Sequence, residues 1–359
     1  MGEAGQRTLT ELVDQARDAY SHLRLEEALD CYQRAEALRA DSYVACLGIA
    51  RTLIRMRRSE QAAAAIARCL SLDPGRFEGQ TALGILLFLS DDDDEAISAL
   101  KLAVEMAPDE SEPRLVLAQA YADTGEFETA SSELEKAREL IAAVEDEGQR
   151  QSLLALAWHA EAYQWLSEGE NAAAMECAQE VIALEEANPY AACLAYSNLG
   201  LLEGRARRYD LAIEYLEHAY RMNPFFYRAG AALGRILIVR GRYDGAAKVL
   251  GRVLEQNGPA GGGTRYAYAT ALAKLGRRKE ALAQYQRARE EGLSGVEEPL
   301  ARWQTVWLSN RGRYAIAAIA LVALVAWLVL AEPSLQALTL VALVVVILVL
   351  QRTLGRRRR

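Results

Sequence analysis

The chain has 359 residues, 52% hydrophobic and 25% charged, a balance that excludes a disordered or collagen-like chain and suits two average domains or one extended repeat array. Its net charge of −8 is uneven: residues 311–359 hold seven arginines and one acid, so residues 1–310 carry 34 basic against 48 acidic side chains, a net −14. That disfavours nucleic-acid or phosphate binding by the larger part. Five cysteines without a CxxC pair read as reduced, semi-buried side chains rather than a disulfide framework.

The first residues, MGEAGQRTLTELVD, show no basic stretch followed by an apolar one, so no signal peptide is expected. Gln6 stands where myristoylation would want Ser or Thr. Residues 1–8 are expected to be a tail. Beyond them one unit recurs with a period of 34: alanine stands at 28, 62, 96, 130, 174, 212, 246 and 281. Twelve residues before each is Ala16, Ala50, Gly84, Ala118, Ala162, Gly200, Gly234 or Ala269; seven after is Ala35, Cys69, Ala103, Ala137, Val181, Ala219, Val253 or Ala288. Small residues on two facing helices let their backbones approach, while larger neighbours such as Leu83, Leu87 and Leu100 fill the space beside them. Each unit thus specifies an antiparallel helix pair. The turn within a pair falls at Gly125, Gly169, Gly241 and Gly276, and Pro74, Pro108 and Pro224 end second helices. Ten extra residues, 145–154, precede the fifth unit and either lengthen a helix or divide the array into 9–144 and 155–295.

The segments Thr81-Ala-Leu-Gly…Ala96…Ala103…Pro108, Tyr196-Ser-Asn-Leu-Gly…Tyr209…Ala212…Pro224 and Ala232-Leu-Gly…Gly241-Arg-Tyr…Ala246 resemble the tetratricopeptide repeat family over residues 9–295. The resemblance implies an all-α fold: a right-handed superhelical solenoid of about eight helix pairs. It also implies that the first helix of each pair lines a concave groove, placing Arg17, Tyr20, Arg51, Ile54, Arg55, Phe88, Tyr163, Arg228, Arg235 and Ile238 there. Arginines mixed with apolar groups on an acidic molecule would suit acidic or C-terminal segments of protein partners, unless those arginines pair with neighbouring glutamates. The Lys/Asn clamp of some family members has no counterpart, since Val13, Leu47 and Thr81 stand where it would begin.

Residues 296–310 read as a final amphipathic helix that Pro299 starts, with Leu300, Trp303 and Trp307 on one face, capping the array or resting at a membrane interface. Residues 314–331 and 335–350 are apolar runs of 18 and 16 residues separated by Glu332-Pro333-Ser334. Their lengths fit two short spans of a ~30 Å hydrocarbon layer, a transmembrane hairpin. Arg311, Arg313, Arg352 and Arg356 to Arg359 would all lie on one side of it, the cytoplasmic one, with 351–359 a basic tail near the lipid headgroups.

No phosphate loop, dinucleotide fingerprint or protease, hydrolase or kinase signature is present. His22, His159 and His218 fall in separate units without zinc-ligand spacing. Asp91 to Asp94 lack the alternating ligands and glycine of a calcium loop. The expectation is a protein without catalytic residues or cofactors: a scaffold that recruits partners at the cytoplasmic face of a membrane, expected to be a bacterial inner membrane, with both termini cytoplasmic. The alternative is an accessory subunit of a transport, secretion or envelope-assembly complex whose hairpin makes the main contacts. An enzyme site around Trp158, His159, Glu161, Tyr163 and Trp165 is disfavoured because those side chains spread over different helix faces.

Overall fold

A computed structural model describes residues 3–256, 261–293, 295–309 and 322. Among the described residues there are seventeen α-helices and no strand. Sixteen form eight pairs: α1 (Glu3–Ser21) with α2 (Leu25–Leu38), α3 (Tyr43–Arg55) with α4 (Ser59–Leu72), α5 (Phe77–Phe88) with α6 (Asp93–Met106), and α7 (Ser111–Asp123) with α8 (Phe127–Ala142). The second half pairs α9 (Glu147–Glu168) with α10 (Asn171–Ala183), α11 (Pro189–Arg205) with α12 (Tyr209–Met222), α13 (Tyr227–Val239) with α14 (Tyr243–Gln256), and α15 (Gly262–Lys274) with α16 (Arg278–Glu290). The last helix, α17, covers Glu297–Leu308.

All three small-residue positions are buried in all eight units. A side chain four residues after each recurrent alanine fills the gap they leave: Leu100, Leu216 and Leu250 are wholly buried, each worth roughly 2–3 kcal/mol by burial. The turn within every pair is one structure repeated eight times. Its central residue has φ near +60° to +90°, and the next N–H donates to the carbonyl five residues back, as Arg58 does to Leu53 (3.0 Å) and Arg242 to Leu237 (2.8 Å). This is a Schellman closure, which consumes carbonyls the helix end would leave unpaired. Glycine supplies it in units 4, 5, 7 and 8, whereas Leu23, Arg57, Asp91 and Arg207 adopt the same left-handed backbone in the others.

Curvature follows from unequal lateral contacts. Each odd-numbered helix packs against the next odd one, from α1 against α3 to α15 against α17, and the even-numbered helices make no comparable lateral contacts among the described residues. The odd helices therefore form the tight inner wall, and the array closes on itself. Leu53, Ile54 and Met56 belong to the same apolar cluster as Phe225, Phe226 and Leu233, and Asn223 donates from Nδ2 to the Arg55 carbonyl at 3.4 Å.

Three details differ from the sequence expectations or complete them. Helix α1 begins at Glu3, inside the segment expected to be a tail. Eight of the ten extra residues, 147–154, enter α9, 22 residues long, because the Asp146 carboxylate accepts from the Gln149 N–H at 2.6 Å and starts the helix early. Helix α17 seats on the array through fully buried Ala301, with Leu308 packed on the core, while Leu300, Trp303 and Trp307 remain exposed. The expected capping face is thus only half covered: Trp303 and Trp307 line a cavity of about 400 Å³ with Thr270, Lys274 and Tyr285 of α15 and α16, and the two indole rings stack on each other at 6.3 Å. Among the described residues no helix is long and apolar enough to cross a membrane. The expected hairpin, 314–331 with 335–350, and the basic tail 351–359 lie outside the described residues save residue 322.

Candidate functional site

The inner wall encloses a cavity of about 460 Å³ reached by residues of all seven odd helices from α1 to α13. Of the ten residues expected to face the groove, seven line it: Tyr20, Arg51, Ile54, Arg55, Phe88, Tyr163 and Arg228. Arg17 lines a smaller neighbouring cavity of about 280 Å³ together with Tyr32, Tyr43 and Arg76. Arg235 is exposed and does not reach the cavity. Ile238 packs partly buried against the core instead. Register explains the convergence: Tyr20, Ile54 and Phe88 are separated by one 34-residue period, so successive odd helices present them at one height.

Two carboxylates of the wall are already engaged. Arg51 donates from Nη2 to Glu112 at 2.8 Å, with Glu112 raising the guanidinium pKa above its ordinary value. Here the glutamate pairing weighed from sequence is what the structure contains. Tyr163 donates its hydroxyl to Asp123, 2.7 and 2.8 Å from the two oxygens; burial first, then that carboxylate, pushes its phenol up. Arg55 is held differently. Its guanidinium carbon lies 3.7 Å over the Tyr20 ring and 4.2 Å over the Tyr190 ring, Nη1 donates to the Tyr20 carbonyl at 3.0 Å, and no carboxylate among the described residues pairs with it. Tyr20 and Arg55 come from the first two units and Tyr190 from the sixth, so the stack ties together distant parts of the array.

Sequence reasoning missed Glu112, His159, Tyr190 and Phe226 as wall residues. His159 had a signal: it stands fifteen residues before the recurrent Ala174, as Leu115 does before Ala130, and Leu115 also lines the cavity. Leu156, His159 and Tyr163 share the inner stripe of α9. Trp158 instead lies under the Arg138 guanidinium at 4.1 Å, and Glu161 pairs with Arg138, so the aromatic and acidic cluster divides between two faces of one helix. His159 is 7% exposed, and burial pulls its pKa down to about 4, leaving the ring neutral at pH 7.

The five cysteines are free and buried. Cys46 and Cys69 touch through their sulfurs at 2.9 Å inside unit 2, where the repeat requires small apolar residues. Among the described residues no three His, Cys, Asp or Glu side chains gather as a metal site.

Tetratricopeptide-repeat models match residues 47–111 in one case and 87–157 with 205–261 in another. No curated protein matches. Among solved structures, a chain of the APC/C hetero-tetramer Cut9-Hcn1 superposes over 82% of this chain and 54% of its own length, at 16% identity and TM-score 0.57. This chain therefore spans about half of that one. The human IFIT1 dimer with PPP-AAAA matches over 82% of this chain and 72% of its own, at 17% identity and TM-score 0.53. At such identities the likeness is one of fold. Residues 47–157 and 205–261 are thus tetratricopeptide repeats, set within an all-helical solenoid of eight helix pairs.

Proposed function

We propose that the protein is a non-catalytic scaffold, anchored in a membrane by residues 314–350, that engages acidic segments of protein partners at the rim of its concave face and holds them on the cytoplasmic side. The observation that carries this reading is that Arg228 and Arg235, two turns apart on α13, are exposed and have no carboxylate partner among the described residues. On a soluble part of net charge −14, cations left unneutralised favour an acidic ligand. A helical partner 10–12 Å across would need about 1000 Å³ for two turns, more than the 460 Å³ cavity offers. Such a partner contacts the rim, or enters as an extended segment. The exposed Trp303 and Trp307, just ahead of the apolar runs, suit the headgroup layer, and Arg311, Arg313 and the basic tail suit a cytoplasmic orientation.

The test is affinity purification from mild-detergent membranes with the intact chain and with Arg228→Glu/Arg235→Glu. A partner recovered with the first and lost with the second supports the rim as the docking surface. Equal recovery with both refutes it. A third arm exchanges residues 314–350 for an unrelated anchor. Ala315, Ala317, Ala318 and Ala320 would allow close packing against other transmembrane helices, so loss of the partner in that arm alone favours the accessory-subunit reading.

A further inference from the structure

Behind the rim, the cavity carries chemistry that a scaffold for protein partners does not require. Two polar groups of its wall lack counterparts. His159 is more than nine-tenths buried, and its Nδ1 has no hydrogen-bond partner, an unfavourable state for a buried polar atom. Arg55 uses the faces of its guanidinium against Tyr20 and Tyr190 and one N–H on the Tyr20 carbonyl. The remaining N–H groups lie in the plane of the guanidinium, where a carboxylate binds two at once.

The neighbouring acids do not satisfy it, since Glu112 is held by Arg51 and Asp123 by Tyr163. Four arginines of the wall, Arg51, Arg55, Arg57 and Arg228, face three acids, Asp91, Glu112 and Asp123, so the enclosed charge is net positive on a molecule that is otherwise acidic. The rest of the lining includes Ile54, Phe88, Leu115 and Leu156. A volume of about 460 Å³ lies within the roughly 300–1000 Å³ of small-molecule sites, whose pattern is an apolar body with a few convergent polar groups.

We infer that this cavity is a binding site for a small organic carboxylate with an aromatic or aliphatic body, the carboxylate on the in-plane edge of Arg55 and the body against Ile54, Leu115 and Leu156, beside the His159 ring. The site does not depend on the scaffold reading, because Arg55, which holds the carboxylate, is not one of the arginines proposed to meet proteins, although Arg228 borders the cavity as well. Its ligand bridges Ile54 and Arg55 of the second unit, Leu115 of the fourth and Leu156 of the fifth, and so stiffens the inner wall.

The test is isothermal titration of the full chain in lipid nanodiscs, with empty discs as reference, using 1-naphthylacetate and its neutral analogue 1-naphthylacetamide. The acid binds at least about tenfold more tightly than the amide, the margin of one charge-assisted bidentate contact. Arg55→Gln brings the two within about twofold of each other. Leu156→Trp, which fills the cavity without touching the charge, abolishes binding of both, and decides the matter should Arg55→Gln fail to fold. Arg235→Gln, outside the cavity, binds like the parent. Equal affinity for acid and amide in the parent chain, no binding of either at about 1 mM, or equal losses in Arg55→Gln and Arg235→Gln would each overturn the inference.

Discussion

Gly234 carries a prediction that depends on the repeat's close packing and on little else. A Cβ built there would sit 2.3 Å from Leu250 Cγ and 2.5 Å from its Cδ2, about 1 Å inside ordinary contact, and Leu250 is wholly buried with no free space to retreat into. Gly234→Ala gains about 1 kcal/mol of helix propensity but forces α13 and α14 apart, at roughly 1–3 kcal/mol for an overpacked core. The net is a loss of about 1 kcal/mol, or roughly fivefold in local opening. In a Leu250→Ala background, itself costing about 2–5 kcal/mol, the obstruction is gone and the same substitution becomes stabilising by about 1 kcal/mol. Gly245→Ala is the control, since its Cβ would meet Leu237 Cδ1 at an ordinary 3.6 Å. Because repeat arrays open locally, the assay is amide hydrogen exchange over residues 227–256 in the four chains and the parent. The reasoning is refuted if Gly234→Ala raises protection in the parent, or if its effect keeps the same sign and size once Leu250 is truncated.

The repeated turn gives a second expectation. Arg207 is exposed and held at φ +61°, a backbone that costs a side-chain-bearing residue roughly 1–2 kcal/mol, so Arg207→Gly raises the stability read from urea unfolding, by up to about 1 kcal/mol once glycine's extra chain entropy is subtracted. Gly241→Ala, at φ +72°, lowers it by a similar amount, and a fall for both would show that the turn is not under strain. The third concerns pH. Burial depresses the His159 pKa to about 4, against about 6.5 for an unfolded histidine, so the unfolded chain binds this proton more readily than the folded one. Its contribution is fully in place above pH 6.5 and is lost as pH falls from there through 4, a difference on the order of 3 kcal/mol. His159→Gln flattens this part of the pH profile in urea titrations at pH 7 and 4.5, whereas an unchanged slope would mean the ring is solvated.

The array was legible because the 34-residue period and the three small positions are local statements about how closely two helices approach. Buried Ala28, Ala62 and Ala96 repeat one packing problem, and its answer does not depend on the rest of the chain. Of the four turns without glycine only that at Asp91 to Asp94 was read, although Leu23, Arg57, Asp91 and Arg207 each stand five residues before the recurrent alanine, as the four turn glycines do. Residue type concealed the others, because the Schellman bonds tolerate a left-handed side chain where the helix pair fixes the turn. For the site, the register of first helices brought seven residues to the cavity. Arg235 and Ile238 obey the same register but lie further along α13 than Arg228, where that helix has left the cavity.

The sequence by itself determined the helix pairs, their number and the acidic character of residues 1–310, since all of these follow from spacing and composition, while the inner face came from the family resemblance. It also placed Leu300, Trp303 and Trp307 on one helical stripe, but could not say that this stripe stays half-exposed while Ala301 is the residue wholly buried against the array. Only the tertiary structure decided that Arg51 spends its charge on Glu112 while Arg55 keeps its own beside Tyr20 and Tyr190, and that His159 is sealed into the same cavity. Those partners lie tens to more than a hundred residues apart, and what brings them together is the summed small rotation of seven helix pairs. No local pattern records that sum.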